Sequence, residues 1–224
     1  MSFILNIDTA VDIASVCLAE DGEALQLTIN ENQKDHAVWL HPAIEEMLKI
    51  NKLTMKDISG VAVSIGPGSY TGLRVGLSTA KGICYAMNIP LITISTLEMM
   101  AYSVKDEAVD LMCPLIDARR MEAFAAVYNK ILQPFIVPQI MIINETSFAK
   151  ILAEHKILFS GNGRKKLQTI ISNSNALFTD TPGNASHLAA LSFKSFCKKE
   201  FAHLAYTEPL YLKEFYTPIR KPLL

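Results

Sequence analysis

The sequence predicts an α/β chain built as two related lobes, the second smaller than the first. Three observations carry this reading. Apolar strands alternate with amphipathic helices, the strand pattern of the N-terminal half restarts near residue 110, and both starting strands end in an aspartate, Asp8 and Asp117. Of the 224 residues half are hydrophobic and 19% are charged, enough for one large domain or two lobes with buried cores.

The elements follow in order. "FILNIDTA" (3–10) is a buried strand with a polar end, and "IASVCLAEDGEALQLTINEN" is a strand pair with Asp21-Gly22 as its hairpin signal. The stretch 35–50 reads as a helix whose core stripe is Ala37, Leu40, Ile44 and Met47/Leu48, with Asp35 as N-cap and Pro42 as a costly interior residue. "ISGVAVSIG" (58–66) is the next strand. A glycine loop and a long helix follow, then the strand "LITIS" (91–95) and the helix "TLEMMAYSV". In the second half, "DLMCPLIDARRMEAFAAVYNK" (110–130) repeats the strand–turn–strand layout of the N-terminus. The helix "TSFAKILAEH", the strand "KILFSGNG" and the helix "SHLAALSFKSFCKKE" complete a slimmer unit. The division expected is an N-terminal lobe over 1–105 and a smaller lobe over 106–224.

Charge and cysteines narrow the class. Net charge is −1, but residues 1–155 hold 11 Lys+Arg against 18 Asp+Glu, while residues 156–224 hold 10 against 4. The basic C-terminal third suits an acidic partner, nucleic acid, or ordinary surface variation. Cys17, Cys84, Cys113 and Cys197 are scattered, none in a CxxC, and read as reduced, mostly buried thiols. The start "MSFIL" has no basic n-region, no apolar run reaches the length of a membrane span, and a cytoplasmic protein is expected.

The segment "SIGPGSYTGLRVG" invites a nucleotide reading. A phosphate loop of the G-x-x-x-x-G-K-[ST] kind needs its lysine on the outer phosphates, but Gly66 to Gly72 is one residue too long and Leu73-Arg74 follows. The dinucleotide fingerprint G-x-G-x-x-G fails too, since the spacing here is G-x-G-x-x-x-G. The loop reads as a tight strand-to-helix turn capped by Ser69 or Thr71, with weak anion binding at Asp8, Thr9, Gly66, Gly68, Ser69 and Asp117 as the alternative. His36 and His41 are i,i+5 and point about 140° apart on a helix, so they do not make a metal pair, and no nucleophile–base spacing stands out. Neither a metal nor a cofactor is expected, and no catalytic residue is assigned.

Two helices carry apolar or small surface beyond one core stripe. On the helix after the loop, Gly72, Gly76, Ala80 and Cys84 form a stripe of small residues at i+4 spacing. Helix glycines are costly unless another backbone comes close, and that backbone is either the lobe's own sheet or a partner. Leu73, Leu77 and Ile83 or Met87 make the other side apolar as well. On the 35–50 helix, Val38, Trp39 and Pro42 lie off the core stripe, a pattern of interface anchors.

"ILNIDTA…ASVCLAEDG", the stretch from "SIGPGSYTGLRVG" through "ISTLEMMA", and "PLIDARRMEAFAAVY" together closely resemble the TsaB (YeaZ) family over roughly residues 1–128. Beyond that only "ILFSGNG" and the late "PLYLK" are matched. The resemblance implies the two-lobed actin-like ATPase fold built on ribonuclease H-like units. It implies a non-catalytic dimerisation subunit in biosynthesis of the tRNA modification threonylcarbamoyladenosine. Such a subunit pairs with a catalytic, metal-holding TsaD paralogue, joins the TsaE ATPase, reaches tRNA through the complex and self-associates when alone. Combined with the two helix faces, it implies a partner interface at His36, Trp39, Leu40, Ala43, Gly72, Leu73, Gly76, Leu77 and Ala80. It also makes Arg164, Lys165, Lys166 and the Lys-rich tail candidate tRNA contacts. The competing reading is a stand-alone actin-like phosphotransferase using Asp8, Asp117 and the glycine loop. Against it, Ala10 and the turn at 117–121 lack the glycines that close phosphate approach requires.

Overall fold

In a computed structural model the described residues are 1–32 and 35–213. Strands β1 (Phe3–Asp8), β2 (Ala14–Glu20), β3 (Glu23–Asn30), β4 (Ile58–Gly66) and β5 (Leu91–Ser95) form one sheet in the order β3-β2-β1-β4-β5. Strands β6 (Leu111–Asp117), β7 (Glu122–Asn129), β8 (Pro134–Ile142), β9 (Ile157–Ser160) and β10 (Ala176–Phe178) form the other, in the order β10-β9-β6-β7-β8. Read from the opposite edge, the second order is the first with each number raised by five. In both sheets the first three strands are antiparallel and the fourth and fifth run parallel to the first. The repeat expected from the two Asp-ending strands is therefore real in topology. The reduction of the second unit is real as well: β10 has three residues.

The helices are α1 (His36–Ile50), α2 (Tyr70–Met87), α3 (Thr96–Ser103), α4 (Ala149–Leu152), α5 (Arg164–Gln168) and α6 (Leu188–Cys197). Side-chain alternation in β1 sets the layers. Leu5 and Ile7 point to a core shared with Leu40, Ile44 and Met47 of α1 and Leu77, Ala80 and Cys84 of α2. Ile4 points the other way, into a core between the two sheets that takes Leu97, Met99 and Met100 of α3, Leu188 and Leu191 of α6, and Met112, Ile116 and Leu158 of the second sheet. The outer face of the second sheet is covered by Phe148, Leu152 and Leu167.

Several expectations change. Asp35 occupies the N-cap position of α1 but makes no cap hydrogen bond; its carboxylate accepts from the Asn32 side chain instead. Pro42 is exposed and α1 continues through it. The expected helix over "TSFAKILAEH" shrinks to the four residues of α4. Strand β8 carries Pro134 and Pro138, which read against a strand. It lies at a sheet edge, where a missing N–H donor is tolerated.

The last part of the chain does not stay with the second sheet. Ala185 N donates to Ser15 Oγ at 2.9 Å and Ser192 Oγ to Asn6 Oδ1 at 2.7 Å, which ties α6 and the turn before it to β1 and β2. Ala202 bridges Leu91 of β5, and Leu210 N donates to the Ile65 carbonyl at 2.8 Å. The strands of the first sheet end at Ser95 and those of the second begin at Leu111, while residues 185–211 pack on the first. The four cysteines are free thiols; three are buried and Cys197 is exposed.

Candidate functional site

The glycine loop sits on the turn that follows β1. Ser69 N donates to the Ala10 carbonyl at 2.6 Å, and Thr9 Oγ1 donates to the Gly72 carbonyl at 2.7 Å. A Cβ on Gly68 would lie 2.2 Å from the Ala10 oxygen, and one on Gly72 would lie 2.0 Å from the Thr9 oxygen, so both glycines are required by backbone contact. Gly66 has φ +121°, its amide is taken by Thr96 Oγ1 at 3.1 Å, and the strap at Leu210 closes over it. Ser69 caps α2 as expected, accepting from Gly72 N at 3.3 Å. The loop's amides thus serve turn and cap, and the Asp8–Ala10 backbone fills the hollow they would offer a phosphate.

Asp8 lies beneath this contact, fully buried. Its Oδ1 accepts from Ser64 Oγ at 2.5 Å and from Ala10 N at 3.1 Å, while Oδ2 has no hydrogen-bond partner among the described residues. Burial raises its pKa, and the bonds from Ser64 and Ala10 offset only part of that. Ser64 was not among the expected site residues. Its signal is periodicity: Ile7 pairs with Val63 in parallel register, so Ser64 comes beside Asp8 on the inward face.

The matching turn of the second lobe is open. Asp117 is exposed, and its Oδ1 accepts from Arg119 N at 2.6 Å and from Lys166 Nζ at 2.6 Å. Partial burial pushes its pKa up, but the Lys166 ammonium and the Arg119 amide outweigh that and hold it below the ordinary value. Asn162, which carried no motif signal, bridges the lobes: its Oδ1 accepts from Asp117 N at 2.8 Å and its Nδ2 donates to Asp12 Oδ2 at 3.1 Å. The two aspartates therefore sit in unlike settings, Asp8 sealed and Asp117 ion-paired at the surface.

The expected partner interface divides by burial. Leu40, Ala43, Gly72, Leu73, Gly76, Leu77, Ala80 and His36 are buried in their own lobe. The glycine stripe faces the sheet: a Cβ on Gly76 would meet Thr9 Oγ1 at 2.4 Å, with Val63 and Ile7 next. His36 Nδ1 is buried with no hydrogen-bond partner among the described residues, and burial lowers its pKa against the pull of the Val11 carbonyl, Asp12 and Asp35. His41 is exposed, on a different face of α1. Residues that face solvent include Val38 (77% exposed), Pro42 and half-buried Trp39 on α1, and Thr71, Ser78, Gly82 and Tyr85 on α2, with nothing within 4 Å of a Cβ on Gly82. Between the helices runs a groove of about 460 Å³ floored by Ile44, Leu48, Leu53, Met55 and Ile83 and edged by His41 and Glu45.

The candidate tRNA contacts divide in the same way. Arg164 is buried, paired with Asp180, and donates to the Gly161 carbonyl at 2.9 Å. Lys166 is taken by Asp117 and by the Glu122 carbonyl at 3.0 Å. Of the three only Lys165 is exposed. The Lys-rich tail beyond Lys213 lies outside the described residues.

Comparisons with known proteins point one way. The family model described as "TsaD: tRNA N6-adenosine threonylcarbamoyltransferase" matches residues 28–215. The chain is 32% identical over 126 residues to the tRNA threonylcarbamoyladenosine biosynthesis protein TsaB of Bacillus subtilis (strain 168), which covers 56% of this chain and 55% of that protein. It is 33% identical over 132 residues to TsaB of Escherichia coli (strain K12), covering 57% and 55%. The chain thus spans about half the length of these two relatives. A third TsaB, from Buchnera aphidicola subsp. Baizongia pistaciae (strain Bp), is 27% identical over 219 residues, or 94% of this chain and 98% of that one. The solved structure described as YeaZ from Pseudomonas aeruginosa superposes with a TM-score of 0.83 at 21% identity, covering 95% of this chain and 100% of the other, a likeness of fold. No described helix is long and apolar enough to cross a membrane.

Proposed function

The chain belongs to the family described as tRNA N6-adenosine threonylcarbamoyltransferase (TsaD), as one of its TsaB (YeaZ) members with the actin-like, ribonuclease H-like fold, and from that premise we propose that it is the non-catalytic scaffold subunit of a threonylcarbamoyladenosine synthase. It pairs with a TsaD-type catalytic paralogue, works with a TsaE-type ATPase, and reaches tRNA in the cytoplasm through that assembly. Alone, it forms a homodimer through the same surface.

One observation carries the non-catalytic reading: the Ser69 amide and the Ala10 carbonyl are bonded to each other across the place where a phosphotransferase would seat phosphate. Gly68 and Gly72 lie against the Ala10 and Thr9 carbonyls, so the gap is closed by backbone and no rotamer change opens it. Asp8, the acid an ATPase of this fold would use, is sealed below.

The partner surface is the exposed side of α1 and α2: Val38, Trp39 and Pro42, the groove between the helices, and the flat strip at Ser78 and Gly82. This keeps the two expected helices and replaces their buried residues with exposed ones.

The test is reconstitution. tRNA modification by the catalytic paralogue is measured with and without this chain, alongside ATP hydrolysis by the chain alone. Dependence on the chain with no intrinsic hydrolysis supports the scaffold. Metal-dependent hydrolysis by the chain alone, lost in Asp8→Ala, would overturn it in favour of a phosphotransferase.

A further inference from the structure

Six cations gather at the end of the second sheet: Arg119 and Arg120 at the tip of the β6–β7 hairpin, Arg164, Lys165 and Lys166 in α5, and Lys213 of the strap. The acids among them are already taken. Lys166 holds Asp117 at 2.6 Å, Lys213 holds Glu122, and Arg164 holds Asp180. Asp12, an acid of the other lobe, accepts from Asn162. Arg119, Arg120 and Lys165 remain, all exposed and none within ion-pair distance of a carboxylate among the described residues.

The backbone at the tip adds an independent observation. Arg119 has φ +68° and Arg120 φ +50°, consecutive left-handed residues where glycine or asparagine would sit with less strain. The turn itself does not require arginine there, since its hydrogen bonds are made by backbone and by Asp117. Ala118 N donates to the Glu122 carbonyl at 3.1 Å, Glu122 N to the Arg119 carbonyl at 3.1 Å, and Lys213 Nζ to the Ala118 carbonyl at 3.4 Å. Both arginine side chains are exposed, so core packing gives no reason for them either. The result is a braced tip that presents two guanidinium groups, with Lys165 next in the chain to the lysine bonded to its base.

We propose that this tip, Arg119 and Arg120 with Lys165, docks the phosphate backbone of RNA. The proposal rests on the tRNA-modification reading above and replaces Arg164 and Lys166 as the contacts. Guanidinium forks suit phosphate oxygens bidentately, and a pre-ordered tip loses little freedom on binding. A docking site for an acidic protein would centre on several apolar or aromatic side chains, whereas in the tip (117–122) Met121, 45% exposed, is the single exposed apolar side chain and no aromatic one is present.

The experiment titrates a labelled tRNA transcript with the full chain across a salt series. Arg119→Gly/Arg120→Gly keeps the left-handed turn and should fold with an unchanged or higher melting temperature. It should bind at least about tenfold more weakly, with a log–log salt slope smaller by about two. Lys165→Ala should remove about one more unit of slope, and Lys56→Ala, on the first lobe, should change little. The proposal fails if the double variant binds like wild type. It fails if Lys56→Ala weakens binding equally, or if the double variant loses the catalytic paralogue while keeping tRNA affinity. If tRNA modification proves independent of the chain, the scaffold reading fails. If modification needs the chain but the double variant supports it fully and binds tRNA fully, only the docking site fails.

Discussion

Thr9 Oγ1 donates to the Gly72 carbonyl at 2.7 Å, and a Cβ on Gly72 would come within 2.0 Å of the Thr9 carbonyl. The first strand's turn and the start of α2 are thus locked together by two reciprocal close approaches. Neither side has a free side-chain rotation that relieves added bulk, because the atoms in conflict belong to backbone.

Gly72→Ala and Gly82→Ala, in the same helix, should therefore move stability in opposite directions. The first forces backbone apart and should cost about 1–3 kcal/mol. The second meets open space and should gain up to about 1 kcal/mol from helix propensity. Thermal unfolding should separate them by several degrees, and equal melting temperatures would contradict the contact.

Asp8→Asn should leave the protein as stable as wild type at neutral pH, or more so. The folded-state pKa of Asp8 is raised by burial, so the unfolded chain ionises first as pH rises. The resulting penalty on the native state is absent below the unfolded value near 3.8, builds as pH climbs through the raised native pKa, and is constant above it. Asparagine removes that penalty, and its Oδ1 still accepts from Ser64 and Ala10. The stability gain of the variant should grow between acid and neutral pH and vanish below about pH 4. A gain independent of pH would mean Asp8 is not the titrating group. Full support of tRNA modification by Asp8→Asn would accord with the scaffold reading.

Arg164→Ala and Lys165→Ala should dissociate stability from RNA binding. Arg164 is buried and its guanidinium bonds Asp180 and the Gly161 carbonyl, so losing that packing and those bonds should lower stability by about 1–3 kcal/mol, although the residue 164 amide still donates to the Gly161 carbonyl at 3.3 Å. Lys165 is exposed, so its loss should be silent in unfolding and visible only in the salt dependence of RNA binding. Denaturant titration and RNA binding on the same preparations check both.

Much of this architecture was legible in the chain. Apolar runs ending in Asp8 and Asp117 marked the duplicated strands, and glycine spacing was enough to reject both nucleotide templates. Other features were not legible, for physical reasons. A 3.6-residue period shows that the stripe of Gly72, Gly76 and Ala80 is buried but not against what, and the occupant is Thr9, Ile7 and Val63 of the same lobe. Adjacent basic residues look alike in sequence, and only the fold separates Arg164 and Lys166, with internal partners, from Lys165. The prolines of β8 argue against a strand until its edge position is known.

The partner surface requires substitutions that leave the lobe intact. Gly76→Trp is unsuitable, because a Cβ there would already lie 2.4 Å from Thr9 Oγ1 and loss of binding would be confounded by loss of fold. Val38→Asp and Gly82→Arg avoid this: Val38 is 77% exposed and Gly82 faces open space. Each places a charge on the apolar side of α1 and α2, where burying it unpaired against a partner costs several kcal/mol. Each should therefore abolish co-purification with the catalytic paralogue and shift the homodimer to monomer, while the melting temperature of the isolated chain moves by less than about 2 °C. Trp39→Asp is a weaker test, because half of that ring packs against the lobe's own core. If Val38→Asp and Gly82→Arg both retain the paralogue, the α1–α2 face is not the interface, and the groove between the helices serves another ligand.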